Sequence, residues 1–207
     1  MMISYSEEIK RKLVHLSSFW MVAATLLIPQ KPERCILFGV LLGITLVSEH
    51  DYAAGGRFLG KLYGKLFGKM LRKKIRPGQW IVSGGVPVLV SALVVNLFFA
   101  PYIAAVAMAI LLAGDAAAAL VGRKFGRHLI INGKTLEGTL AFITAAYLAA
   151  AVVLLSVKAA MIDYVLLLPV VAVGALAELF QNQLKLDDNL LIPLSSAVFF
   201  QLLTLLL

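Results

Sequence analysis

Cysteine occurs once, as Cys35, so no disulfide can close within this chain. Three scattered histidines beside that one cysteine leave no ligand spacing of the zinc type. Charge is scarce too. Only 14% of the 207 residues are Asp, Glu, Lys or Arg, where a soluble domain carries about 25%. Linkers and low-complexity tails are absent, so one domain over 1–207 is expected. What abounds is apolar: 61% of residues, with a mean hydropathy of +0.92. These proportions exclude an ordinary soluble enzyme and point to an integral membrane protein. Residues 1–12 (MMISYSEEIKRK) run into an apolar stretch without a small-residue cleavage pattern, so the first transmembrane segment is the expected insertion signal.

Seven apolar runs can be traced, at 13–29, 34–48, 80–99, 102–121, 138–157, 162–180 and 190–207. A helix needs about 20 residues to cross a hydrocarbon core, and the second and last runs are short for that. The expected fold is therefore all-α, with about seven transmembrane helices and the N-terminus in the cytoplasm. On that reading 16 Lys and Arg fall on the inner side and three (Lys31, Arg34 and Lys158) on the outer, as the positive-inside rule requires. The net charge of +8 is then topology and contact with anionic lipid, and no nucleic-acid partner is expected. The acids show a second asymmetry. Of eleven, only Glu33 and Asp163 lie outside, while Glu49, Asp51, Asp115, Glu137, Glu178, Asp187 and Asp188 gather at the inner boundary. Acids add little to topology, so a shared cytoplasm-facing site is the better explanation.

Residues 58–73 repeat two apolar residues, glycine and lysine (FLGK LYGK LFGK MLRK). As a helix this segment, within 52–76, carries Gly56, Gly60, Gly64 and Gly68 on one stripe and Phe58, Leu62, Leu66 and Met70 on another. Such a basic amphipathic helix is expected to lie in the interface plane. Each glycine lowers helix propensity by about 1 kcal/mol relative to alanine, so close packing against a helix or lipid must profit from them. Trp80 sits at headgroup depth in the Pro/Gly-rich connector that follows.

The strongest chemical signal is 114–139, GDAAAALVGRKFGRHLIINGKTLEGT. Asp115 lies about 9 Å inside the membrane boundary at 1.5 Å per residue. An acid there costs roughly 2.5–3.5 kcal/mol, which argues for a use beyond gluing helices together. Gly114, Ala118, Gly122 and Gly126 recur every four residues and make a smooth face. The loop 122–137 ends Asn132-Gly133-Lys134-Thr135, which echoes a P-loop but has His128 where that pattern needs glycine. Thr135 suits an N-cap, and the free N–H groups of the next turn favour an anion. Lys134 adds a mobile charge for a phosphate, while Arg123 or Arg127 can clamp one bidentately. Glu137, otherwise a helix-dipole partner, becomes with Asp115 a candidate pair for Mg²⁺. Asp187-Asp188-Asn189 reads alone as helix capping; beside the other inward-facing acids it becomes a second metal site or a base. Glu178 and Glu49 end their segments near the same place. Lys12 reads as an interface anchor, and His15, one turn beyond Arg11, calls for a polar contact.

Taken together, RKLVH at 11–15, GDAAAALVGRKFG at 114–126, GKTLEGT at 133–139 and DDNLLIP at 187–193 resemble a known family. It is that of the CTP-dependent lipid-alcohol kinases: dolichol kinase, phytol kinase and the yeast-type diacylglycerol kinase. The resemblance runs in order along nearly the whole chain. It implies transfer of the CTP γ-phosphoryl group to a membrane lipid alcohol. It places Asp115 and Glu137 on Mg²⁺, Lys134 and Arg123 on CTP phosphates, and Asp187 or Asp188 as a second metal ligand or base. An isoprenoid alcohol is favoured, and the Gly/Ala-rich faces allow a homodimer. Gln79 departs from the acidic residue expected in the connector before the third apolar run. Phosphatidate cytidylyltransferases carry a similar GD…KTxEG block, so CDP-lipid synthesis is the nearest rival; their C-terminal signature differs from DDNLLIP. A small ion-coupled transporter is a distant one, because the acids crowd one side.

Overall fold

In the computed structural model, residues 5–56, 59–67 and 83–206 are described. Gln79, Trp80, Phe58 and residues 68–76 of the amphipathic segment lie outside the described residues. Those described form helices α1 (Tyr5–Ser17), α2 (Trp20–Leu27), α3 (Lys31–Ala53), α4 (Leu59–Phe67), α5 (Gly85–Phe98), α6 (Pro101–Phe125), α7 (Leu136–Ser156), α8 (Met161–Leu184) and α9 (Asp188–Leu206). No strand accompanies them among the described residues.

Five helices, α3, α6, α7, α8 and α9, are long and apolar enough to cross a membrane. The short second run gains length at both ends and becomes α3, with 23 residues. The first run is divided between two helices. Backbone bonds shift from four-residue to three-residue spacing across Ser18–Val22 and separate α1 from α2, whose 8 residues are too short to span alone. The part of α1 that is buried is polar (Glu8 and Lys12), so it is directed at other protein groups and not at lipid. α5, with 14 residues, is also short.

The bundle is organised around α6. Every residue from Ile103 to Leu112 is buried, and α1, α2, α5, α7, α8 and α9 all touch this helix. A helix apolar all round belongs in a core or a membrane span, and the burial of this stretch makes α6 the core. The outer helices instead turn Val40, Leu148, Leu155, Leu168 and Leu202 outward, as lipid-facing surfaces do. The smooth stripe of α6 is used within the chain, against α7. A Cβ on Gly114 would lie 2.7 Å from the Phe142 ring, and one on Gly138 would lie 3.0 Å from the Ala118 carbonyl oxygen. Small residues let two backbones approach where no hydrophobic force drives them together.

Arg34, counted on the outer side, is buried. Its Nε donates to Asn96 Oδ1 (3.0 Å) and its Nη1 to the Ile28 and Pro29 carbonyls (2.7 and 3.0 Å), which ties the α2–α3 turn to α5.

The glycine stripe of α4 faces the last turns of α3. Gly60 N donates to Asp51 Oδ2 (2.7 Å), and a Cβ on Gly60 would lie 2.6 Å from the Tyr52 backbone nitrogen. Leu59, Leu62, Lys61 and Lys65 remain exposed. Beneath them Glu49 is buried and accepts from Tyr63 Oη (2.9 Å) and Ser83 N (3.2 Å). Burial pushes the Tyr63 hydroxyl pKa up to about 12. Gly60→Ala is expected to cost about 1–3 kcal/mol because backbone cannot yield to the added methyl. Gly43→Ala, which meets nothing within 4 Å, is expected to be neutral or to gain up to about 1 kcal/mol. Thermal unfolding of both variants in detergent checks the contrast.

Candidate active site

α6 and α8 end, and α7 and α9 begin, at one end of the bundle. Their termini, with one face of α1, enclose a cavity of about 330 Å³. That is within the range of about 300–1,000 Å³ usual for small-molecule sites. Its walls carry four cations (Arg11, Lys12, Arg123 and Lys134) and four carboxylates (Asp115, Glu178, Asp187 and Asp188). Gly122, Thr135, Gly138, Gln181 and Asn182 line it between them.

The loop between α6 and α7 is a miniature hairpin. Asn132 (φ 55°) and Gly133 (φ 72°) make its turn, the left-handed pair that an Asn-Gly dipeptide adopts readily. Ile130 N donates to the Lys134 carbonyl (2.9 Å) and Leu136 N to that of His128 (2.9 Å). Asn132 Nδ2 donates to the Leu179 carbonyl (2.7 Å) and to Gln183 Oε1 (2.7 Å), so the hairpin is pinned to α8. This carries Lys134 onto Glu178, with which it forms an ion pair. Thr135 caps α7: its Oγ1 accepts from Gly138 N (3.2 Å).

Deeper in, Asp115 (6% exposed) and Lys12 (3% exposed) form a buried ion pair. His15 Nε2 lies 3.4 Å from Asp115 Oδ2, which supplies a charged neighbour for that histidine. Asp188, half-buried at the start of α9, is within electrostatic reach of Asp115, Asp187, Lys12 and Lys134. Asn189 braces both aspartates: its Nδ2 donates to Asp187 Oδ1 (2.8 Å) and Asp188 Oδ1 (3.1 Å). Ser91 Oγ donates to the Asn189 carbonyl (2.6 Å) and holds that turn to α5.

Of the residues singled out in the sequence, Arg11, Asp115, Gly122, Arg123, Lys134, Thr135, Glu178, Asp187 and Asp188 share this cavity. His15 and Asn189 support it from behind. Four others lie elsewhere. Glu137 Oε2 accepts from Arg127 N (3.1 Å) and His128 N (3.3 Å), and its Oε1 is 2.6 Å from His128 Nδ1. Its carboxylate is therefore spent on closing the loop, not paired with Asp115. Arg127 is exposed beside it. Gly126 packs against Thr135, and Glu49 belongs to the α3–α4 corner. Lys12 and Glu8 were not foreseen in the site, although Glu8, Arg11, Lys12 and His15 share one helix face at spacings of three, four and seven.

Among the described residues no three His, Cys, Asp or Glu side chains are gathered as a ready metal cage. Mg²⁺ does not need one, since it binds through one or two carboxylates together with substrate phosphates and water. Asp115, Asp187 and Asp188 all line this cavity, with Asp115 and Asp187 within electrostatic reach of Asp188.

Fold and cavity define an integral membrane protein with a charged chamber at one end. Comparison with known proteins gives a partial likeness. Over 93 residues the chain is 35% identical to dolichol kinase of Saccharomyces cerevisiae (strain ATCC 204508 / S288c), covering 44% of this chain and 18% of that enzyme. The chain thus spans less than a fifth of the length of that relative. It is also 29% identical over 192 residues to an uncharacterized protein of Rickettsia prowazekii (strain Madrid E), covering 91% of this chain and 90% of that one. No family model matches the chain, and no solved structure matches it.

Proposed function

We propose that this protein is a kinase of a membrane lipid alcohol, with CTP as phosphoryl donor and Mg²⁺ as cofactor. The observation that carries the reading is a cavity in which four cations meet four carboxylates at one end of an apolar bundle. The partial likeness to dolichol kinase supports it. Phosphoryl transfer asks little covalent chemistry of a protein; it asks for positioning and neutralisation of charge. Arg11, Arg123 and Lys134 hold the triphosphate, with Lys134 exchanging Glu178 for a phosphate oxygen. Asp115 and Asp188 hold Mg²⁺, with Asp187 beside them. When bound, the ion neutralises charge on the phosphate oxygens. The lipid hydroxyl oxygen bonds to the γ-phosphorus, the bond from that phosphorus to the CDP oxygen breaks, and the hydroxyl proton leaves to a carboxylate of the cavity. The products are a lipid monophosphate and CDP.

In this proposal the basic end of the bundle faces the cytoplasm, where CTP is found, and α1–α2 and α5 complete the seven crossings. The hydroxyl of an isoprenoid alcohol would wait at the depth of the cavity mouth. Since α7 covers the smooth stripe of α6, a homodimer would form through other faces.

Purified protein with γ-³²P-labelled CTP, Mg²⁺ and separate samples of dolichol, phytol, geranylgeraniol, undecaprenol and diacylglycerol tests the reading. Label is expected in one lipid, with CDP released, and chelation of Mg²⁺ is expected to stop it. Pyrophosphate release that depends on CTP and phosphatidate would overturn the kinase in favour of CDP-lipid synthesis.

A further inference from the structure

We infer that Glu8 is a positioning residue for the donor's polyphosphate, setting the guanidinium groups of Arg11 and Arg123 as a paired clamp. The inference rests on the kinase reading for the identity of its ligand. Glu8 is 4% exposed. It accepts from Arg11 Nε (3.1 Å) and Nη2 (2.5 Å) through one oxygen, and from Arg123 Nη1 (3.2 Å) through the other. Both arginines line the cavity, and Glu8 does not. It lies behind them.

Two guanidinium groups on one wall repel each other and, being long side chains, sample many rotamers. A carboxylate bonded to both neutralises the repulsion and fixes the plane of the Arg11 fork, which recognises phosphate by geometry as well as charge. A tether between α1 and α6 is already supplied by Lys12 and Asp115. Docking the helix therefore does not require Glu8, whereas aiming two arginines from different helices at one ligand does.

The test uses the full chain in detergent with Glu8→Gln, and Glu8→Asp as the conservative partner. Inhibition by tripolyphosphate, by cytidine and by a lipid monophosphate is measured beside KM and kcat for CTP. Glu8→Gln is expected to raise KM for CTP and the tripolyphosphate inhibition constant together, each about tenfold, the loss of one charge-assisted contact. The expected kcat stays within about twofold, because the contact is made before the transition state. Cytidine inhibition is expected to be unchanged, and Glu8→Asp to recover most of the loss. A lower melting temperature with unaltered tripolyphosphate inhibition would reduce Glu8 to a tether and overturn the inference. Weakening confined to the lipid monophosphate would overturn it by giving the clamp to the lipid phosphate. The kinase reading fails separately: wild type that is stabilised by tripolyphosphate but turns over no CTP keeps the clamp and loses the kinase.

Discussion

Asp115→Asn is expected to lower turnover by more than about a thousandfold, the scale on which phosphoryl transfer depends on charges fixed around the transferring group. The buried ion pair complicates its reading. Asparagine would leave the Lys12 ammonium, 3% exposed, without its carboxylate. Breaking such a pair costs about 3–5 kcal/mol, so inactivity of the single variant could follow from a damaged α1–α6 contact. The double variant Lys12→Met/Asp115→Asn separates the two effects. Removing both charges together is expected to restore most of the melting temperature, since a buried pair replaced by neutral groups of similar volume is often tolerated. Turnover is expected to remain absent. If the double variant regains activity, Asp115 serves only as a partner for Lys12 and the catalytic assignment falls.

The sequence was most readable where a rule concerns one residue type along one helix. Length and hydropathy located α3, α6, α7, α8 and α9 to within a few residues, because a membrane helix must satisfy its own backbone and show an apolar surface. The break at Ser18–Phe19 was not legible, since an apolar run looks the same whether its backbone bonds follow four-residue or three-residue spacing. Burial of Arg34 was not legible, because nothing in its neighbours announces that Asn96, 62 residues away, accepts a hydrogen bond from it. The glycine stripe was recognised as needing a close neighbour, but Tyr52 and Asp51 could not be named for Gly56, Gly60 and Gly64, since helix pattern does not encode which helix lies opposite.

The candidate site divides along the same line. Asp115 stood out because an acid in an apolar run is costly wherever the run goes. Its partner did not, since Lys12 has the look of an ordinary interface anchor until α1 is laid against α6. Glu137 shows the reverse case. Pairing it with Asp115 drew it toward the metal, whereas the left-handed turn at Asn132-Gly133 folds the loop so that the carboxylate meets the N–H groups of Arg127 and His128. The Asn-Gly pair was the available sign of that turn, obscured by its likeness to a phosphate-binding loop.

The two aspartates before α9 are expected to part company in spite of being adjacent. Asp188 is half-buried among Asp115, Lys12 and Lys134, whereas Asp187 is exposed and serves with it in bracing Asn189. If Asp188 holds the divalent ion against the triphosphate, Asp188→Asn lowers kcat by about a hundredfold or more and raises the Mg²⁺ concentration needed for half-maximal rate. A readout without turnover accompanies it. Mg²⁺ bound among mutually repelling carboxylates stabilises the folded state by mass action, so it is expected to raise the melting temperature of wild type and of Asp187→Asn. The same addition should leave Asp188→Asn unmoved. Asp187→Asn itself is expected to stay within about tenfold of wild type, because the amide oxygen can still accept from Asn189 and only an exposed charge is lost. Equal losses in the two variants, with Mg²⁺ stabilisation intact in both, would return the pair to helix capping and leave Asp115 without a second carboxylate for the ion. A lost rate in Asp188→Asn with an unchanged Mg²⁺ requirement would instead make Asp188 the acceptor of the lipid hydroxyl's proton.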